Sequence, residues 1–177
     1  MSIASAPERL PRLDLHFRPL PGVEAAALMQ QLLEHRTREL TIEGPFGDVR
    51  VRGPVVGGLL LIAGGSGIAQ SRSIVEHLDL CGQTDAVRLV WSVTRDDQLY
   101  CDAELHGFAR WLEYVAVVDS VEHGNAAVAW VRTADLTADR IVLSGGPGFV
   151  YAVVDALIER GVAIASIESD VFDYAPR

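Results

Sequence analysis

The rhythm of apolar and polar positions changes near residue 54. Before it, the pattern is mixed. Leu13, Leu15 and Phe17 alternate with Asp14, His16 and Arg18, which predicts a half-buried strand. Pro19 to Gly22 reads as a turn. Ala25, Leu28, Leu32 and Leu33 recur at helical spacing, which predicts a helix over 24–36. Residues 40–43 are strand-like, Gly44-Pro45-Phe46-Gly47 is a turn, and Val49 and Val51 resume the alternation. Residues 1–11 read as a loose arm. Gly53-Pro54 and Gly57-Gly58 then punctuate the chain and set a boundary between 1–54 and 55–177.

After that boundary, short runs of apolar residues alternate with helical patterns. Strands are predicted over 59–63, 86–93, 114–118, 141–143 and 163–167. Helices are predicted over 71–78, 98–112 and 148–160. Residues 124–129 carry too weak a pattern to assign. Strands that are apolar on both faces and separated by helices imply an α/β fold, here a five-stranded parallel sheet with helices on both faces.

Glycine clusters close two of these strands. Gly64-Gly65-Ser66-Gly67 follows the first, and Ser144-Gly145-Gly146-Pro147-Gly148 follows the fourth. In an open parallel sheet, ligands sit at the carboxyl ends of the strands. A backbone without side chains there, leading into a helix N-terminus, suits a phosphate. The loops do not fit the common signatures. The P-loop pattern needs a lysine and none occurs here. The Gly-x-Gly-x-x-Gly fingerprint fails at Gln70, and Ser66 is not in Gly-x-Ser-x-Gly.

Composition narrows the partners. The 177 residues carry 24 acidic and 15 basic side chains, a net charge of −9, which repels nucleic acid in the absence of a basic patch. The longest apolar run, 59–63, is too short to span a membrane. No signal-peptide pattern opens the chain, so a cytoplasmic location is expected. Cys81 and Cys101 and the five histidines show no metal-ligand spacing, so no metal is expected. Glu76 and His77 read as surface positions of one helix.

Five segments, in order, resemble the ferredoxin–NADP reductase-like flavoenzymes, in particular bacterial flavin reductases and the reductase components of oxygenases. Gly44-Pro45-Phe46-Gly47 resembles the turn that closes the flavin barrel of that family. Residues 60–70 resemble its Ala-Gly-Gly-Thr-Gly-Ile-Ala-Pro segment. Residues 91–100 with Glu104-Leu105 resemble Trp-Gly-x-Arg-x3-Asp-Leu-Tyr and its downstream Glu-Leu. Ser144-Gly145-Gly146-Pro147 resembles Cys-Gly-Pro-Pro, and Asp170-Val171-Phe172 resembles the closing Asp-x-Phe.

The resemblance implies that 55–177 is an NAD(P)-binding domain preceded by a truncated, partial β-barrel remnant in 1–54. It implies that NADH or NADPH lies across the carboxyl edge of the sheet. Gly64, Gly65, Ser66 and Gly67 would then face the pyrophosphate and nicotinamide. Arg95 and Asp96, with Asp97, would meet the adenosine ribose. Gly145, Gly146 and Pro147 would shape the nicotinamide pocket. Ser66 and Ser144 occupy the positions nearest the chemistry.

The chain also departs from the family. No Arg-x-Tyr-Ser flavin motif precedes residue 54, and Glu24 falls in the Gly-x-x-Ser flavin-phosphate segment, so tight binding of FAD or FMN is not expected. Ser66, Gln70, Thr94 and Ser144 replace threonine, proline, arginine and cysteine. The implied activity is electron transfer from NAD(P)H to a flavin that is free or supplied by another chain. The alternative is a non-catalytic nucleotide-binding or interaction module descended from such a reductase. An unclosed barrel leaves strand edges bare, so residues 12–54 are expected to pair with a second copy or a partner chain.

Overall fold

The computed structural model describes residues 2–17, 30–31, 34, 43–44, 47–51, 55–83, 85–121, 124–138 and 140–177. It opens with a small antiparallel pair, β1 (Ser2–Ile3) and β2 (Leu15–His16), separated by a 3-10 turn over Pro7–Arg9. The main sheet follows. Its strands are β3 (Leu59–Gly64), β4 (Val87–Val93), β5 (Leu112–Val118), β6 (Arg140–Ser144) and β7 (Ile167–Glu168). All pairings are parallel, in the order β5-β4-β3-β6-β7. The chain winds outward from β3 through β4 to β5, then crosses back to β6 on the other side. The strand order thus reverses between β3 and β6.

The helices are α1 (Ile68–Leu80), α2 (Asp102–His106), α3 (Ala126–Thr133), α4 (Pro147–Glu159) and α5 (Val171–Tyr174). They cover both faces, as predicted. Leu59, Leu61, Ala63, Leu89 and Trp91 face a core closed by Ile68, Val75 and Leu78 of α1. Leu60, Ile62, Val90, Ile141 and Leu143 face a second core with Val131 of α3 and Val150, Val153 and Leu157 of α4. Burying each such side chain stabilises the fold by roughly 1.5–3 kcal/mol before its ordering cost, which is why β3 and β6 are apolar on both faces and β4 on one. No helix among the described residues is long and apolar enough to cross a membrane.

Several local expectations change. The helix predicted over 98–112 is only the five-residue α2, preceded by a 3-10 turn at Asp96–Gln98. Successive turns over 107–111 then lead into β5, which starts at Leu112. The strand predicted over 163–167 is mostly a 3-10 turn at Ile164–Ser166, leaving a two-residue β7. The unassigned stretch after 124 is α3. Its start is held by Asn125, whose side-chain oxygen accepts from the amides of Ala127 (3.1 Å) and Val128 (3.2 Å).

Residues 4–6 are not a loose arm; Ala4, Ser5 and Ala6 are buried. The predicted helix over 24–36 and strand over 40–43 lie largely outside the described residues. So does most of the segment read as a barrel remnant, where the β1–β2 pair is the strand pairing described.

Candidate functional site

The two glycine loops end the adjacent strands β3 and β6, on either side of the strand-order reversal. Ala63 pairs in register with Ser144, and Gly64 with Ser92. The loops interlock through three glycines. A methyl on Gly67 would lie 2.4 Å from the Ser144 carbonyl oxygen. One on Gly64 would lie 2.6 Å from the Phe149 ring. One on Gly145 (φ +151°) would lie 2.9 Å from the same ring and 3.2 Å from the Gly64 carbonyl oxygen. Gly146 and Gly148, at the start of α4, face open space. The first set lets the loops pack together, and the second leaves the α4 N-terminus approachable.

A chain of contacts fixes the first loop. Trp91, fully buried in β4, donates its indole N–H to the Gly65 carbonyl at 2.9 Å. The Tyr100 ring stands edge-on to the indole, 5.4 Å between centroids. The Tyr100 hydroxyl meets His16 Nδ1 at 2.8 Å. Burial, then the Arg72 charge, lowers the His16 pKa, and burial pushes Tyr100 up to about 12. The phenol therefore donates to a neutral imidazole.

These residues enclose a cleft of about 450 Å³. Gly65 and Ser66 form one wall, Gln98 and Tyr100 a second, and Leu15, His16 and Phe17 of the N-terminal pair the third. The predicted site did not include the second and third walls. Tyr100 already lay in a matched segment. His16 had only the polar phase of an alternating strand to mark it.

The predicted residues separate. Ser66 lines the cleft, and its hydroxyl has no partner among the described residues. Ser144 is 5% exposed, and its hydroxyl sits 3.3 Å from that of Ser71 on α1, turned into the packing between loop and helix. Arg95 lies past the end of β4 in an exposed bidentate pair with Asp97, at 2.9 and 2.8 Å. That pair raises the arginine and lowers the aspartate pKa. Asp96 is exposed beside it in the same turn. Gln98 Oε1 accepts from the Thr94 amide (3.2 Å) and hydroxyl (2.9 Å), which fixes that turn.

The third wall is attached by a polar seam. Arg72 of α1 bonds Glu104 and the Ala4 carbonyl. Ser73 donates to the Ser5 carbonyl at 2.8 Å. Glu76 is buried, not a surface position. Its carboxylate accepts from the Ala6 amide at 2.7 Å and from Arg9 Nε at 2.9 Å. A second attachment involves Asp170, whose oxygens accept from the Val49 amide (3.1 Å) and Gln70 Nε2 (2.8 Å). Gly47, at φ +95°, packs on the same carboxylate. Three of the matched segments thus meet at one side chain, and Gln70, a departure from the family pattern, has a partner there. The expectation of no metal ligands also meets a cluster among the described residues: donor atoms of Glu8, His77 and Cys81 lie within 4.8 Å of one another.

No family model matches the chain. It is 26% identical over 186 residues to terephthalate 1,2-dioxygenase reductase component 1 of Comamonas sp., covering 99% of this chain and 55% of that protein. It is 35% identical over 130 residues to the NAD(P)H-flavin reductase of Vibrio harveyi, covering 71% of this chain and 54% of that protein. The chain is a relative of flavin reductases and oxygenase reductase components. It spans about half the length of these curated relatives. Its fold matches the ferredoxin NADP+ reductase of Neisseria gonorrhoeae, solved with bound FAD and NADP. The TM-score is 0.70 at 18% identity, over 95% of this chain and 77% of that one. The reversal between β3 and β6 and the two interlocked loops are therefore parts of a ferredoxin reductase-like fold.

Proposed function

We propose that this chain binds NADH or NADPH across the carboxyl ends of β3 and β6 and passes electrons to a flavin whose ring enters the adjoining cleft. One observation carries the reading. The cleft opens on the Gly65–Gly67 turn, with a serine hydroxyl that has no partner among the described residues on one wall and an aromatic ring on another. The relatives support it, since one is named as an NAD(P)H-flavin reductase and another as an oxygenase reductase component. They do not favour the non-catalytic alternative. When bound, the nicotinamide supplies a hydride and the flavin accepts it.

The chain's own part is positioning. Gly64, Gly67 and Gly145 hold the two loops in contact, and Gly146 with Pro147 leaves the α4 N-terminus open to a pyrophosphate. Trp91 holds the Gly65 carbonyl, so Gly65 and Ser66 present a fixed edge to the ring. Ser66 is the residue placed to orient that ring. Ser144, turned inward to Ser71, helps hold the second loop against α1. Arg95 would exchange Asp97 for an anionic group of the nucleotide, a pair held weakly because it is exposed, and Asp96 would accept from a ribose hydroxyl. The flavin arrives free or on a partner chain, and residues 12–54 are the proposed surface for a partner or a second copy.

The purified chain is examined for flavin absorbance, and the loss of reduced-nicotinamide absorbance is followed with NADH and NADPH, with and without FAD or FMN. Oxidation that requires added flavin is the expected result. Nucleotide binding with no oxidation under any condition would overturn electron transfer. A monomer in sedimentation at micromolar concentration, alone and with the flavin-bearing partner, would overturn the association surface.

A further inference from the structure

We propose that Glu8, His77 and Cys81 form a binding site for a zinc-class divalent cation, clipping the Pro7–Arg9 turn to the end of α1. The site lies outside the nucleotide edge and does not depend on the function proposed above. His77 and Cys81 are four residues apart, so they share one face at the last turn of α1. Glu8 reaches them from the other element. His77 Nδ1 lies 2.8 Å from Glu8 Oε1, and Cys81 Sγ lies 3.7 Å from the imidazole nitrogen and 3.9 Å from that carboxylate oxygen. Metal–ligand bonds of roughly 2.0–2.3 Å in a tetrahedral arrangement need donors about 3.3–3.8 Å apart. The two sulfur separations are near that range already, and the histidine–carboxylate contact has only to widen.

The donor set selects the ion. One sulfur, one nitrogen and one oxygen suit zinc or cobalt, whereas magnesium and calcium take oxygen ligands. The location favours a cation as well, because the carbonyl end of α1 is its negative end. The ligands are held before binding. The residues around Glu8 are tied down by the Ala6 amide and Arg9 Nε on Glu76, which leaves the Arg9 charge already paired. Cys81 is exposed, so the ion has an entry path and a fourth position for water. On binding, the thiol proton goes to solvent and the thiolate, imidazole and carboxylate each donate one pair to the metal. The other cysteine is unsuited. Cys101 is buried, and burial pushes its thiol up to about 11.

The full chain is titrated with Co2+ alone. One equivalent should bind with a sulfur-to-cobalt charge-transfer band, and Zn2+ should displace it. Cys81→Ser should abolish the band, and His77→Ala should weaken binding at least about tenfold. Cys101→Ser should leave both unchanged. Zinc should raise the unfolding midpoint of the parent chain and not that of Cys81→Ser. Circular dichroism of the metal-free variants reports their folding, and the exposed Cys81 position leaves the fold intact. Absence of saturable cobalt binding, or a thiolate band that survives Cys81→Ser, would overturn the proposal. Nicotinamide oxidation is not among the readouts, so the failure of this site and of the function above are separate results.

Discussion

The two glycine loops are near copies in sequence and unlike in use. After β3, Gly64 and Gly67 are filled against Phe149 and the Ser144 carbonyl, and Ser66 faces the cleft. After β6, Gly145 is filled in the same way, Gly146 and Gly148 face open space, and Ser144 is turned inward to Ser71. A glycine at a strand end therefore has two physical meanings. It can allow one backbone to touch another, or leave a helix N-terminus bare for a ligand. A serine beside it inherits one or the other setting.

The sharpest way to break this comparison is to add one methyl to each kind of glycine. Gly67→Ala drives a methyl into backbone that cannot move aside, and should cost about 3 kcal/mol, the upper end of overpacking. Gly148→Ala, in the first turn of α4 with free space around it, should instead stabilise by roughly 0.5–1 kcal/mol. Chemical denaturation reads both, and equal signs would end the distinction. Next in size is Trp91→Phe. It leaves the half-buried Gly65 carbonyl without its indole donor and should cost about 1.5 kcal/mol, with a weaker nucleotide affinity in equilibrium titration.

The serines should then part company. Ser144→Ala should cost about 1 kcal/mol for the lost hydroxyl pair and leave reductase turnover within about twofold. Ser66→Ala should leave stability within about 0.5 kcal/mol and lower turnover by roughly tenfold. The reverse pattern would move the site to the second loop.

The smallest effect concerns His16. Its folded-state pKa is depressed, so between that value and the ordinary 6.5 the unfolded chain binds more protons than the folded one. Its contribution to stability is fully present above pH 6.5 and is lost as pH falls through the folded pKa. Denaturation midpoints measured on either side of that window should fall toward acid, and His16→Gln should flatten the difference.

The sheet was legible because Leu59–Ala63 and Ile141–Leu143 are apolar without a break and Val87–Val93 is interrupted only by Arg88 and Ser92, a pattern expected of short strands buried on both faces. The loops were legible because their glycines cluster directly after those strands. The third wall of the cleft was not. Ala4, Ala6 and His16 are placed by Arg72, Glu76 and Tyr100, 68 to 84 residues later, and no local pattern records that pairing. Helix α3 was missed for a different reason. Its start depends on one asparagine, and Ala126–Thr133 shows few polar positions to define a period. The short α2 was over-read because apolar spacing continues from Leu105 through Phe108 to Leu112 although the backbone turns at 107–111.

The seam between residues 4–9 and α1 has a kinetic consequence. Its hydrogen bonds are a few contacts from residues 4–9 to the side chains of Arg72, Ser73 and Glu76, whereas β3 is held by parallel ladders to β4 and β6 on both sides. A peripheral segment held by few bonds opens at a lower free-energy cost than a central strand paired on both sides. The Ala4 and Ala6 amides should therefore exchange with solvent well before those of β3. Exchange in that order would mean that the wall carrying His16 lifts from α1 while the sheet stays folded, giving the cleft a hinged side without any dedicated lid.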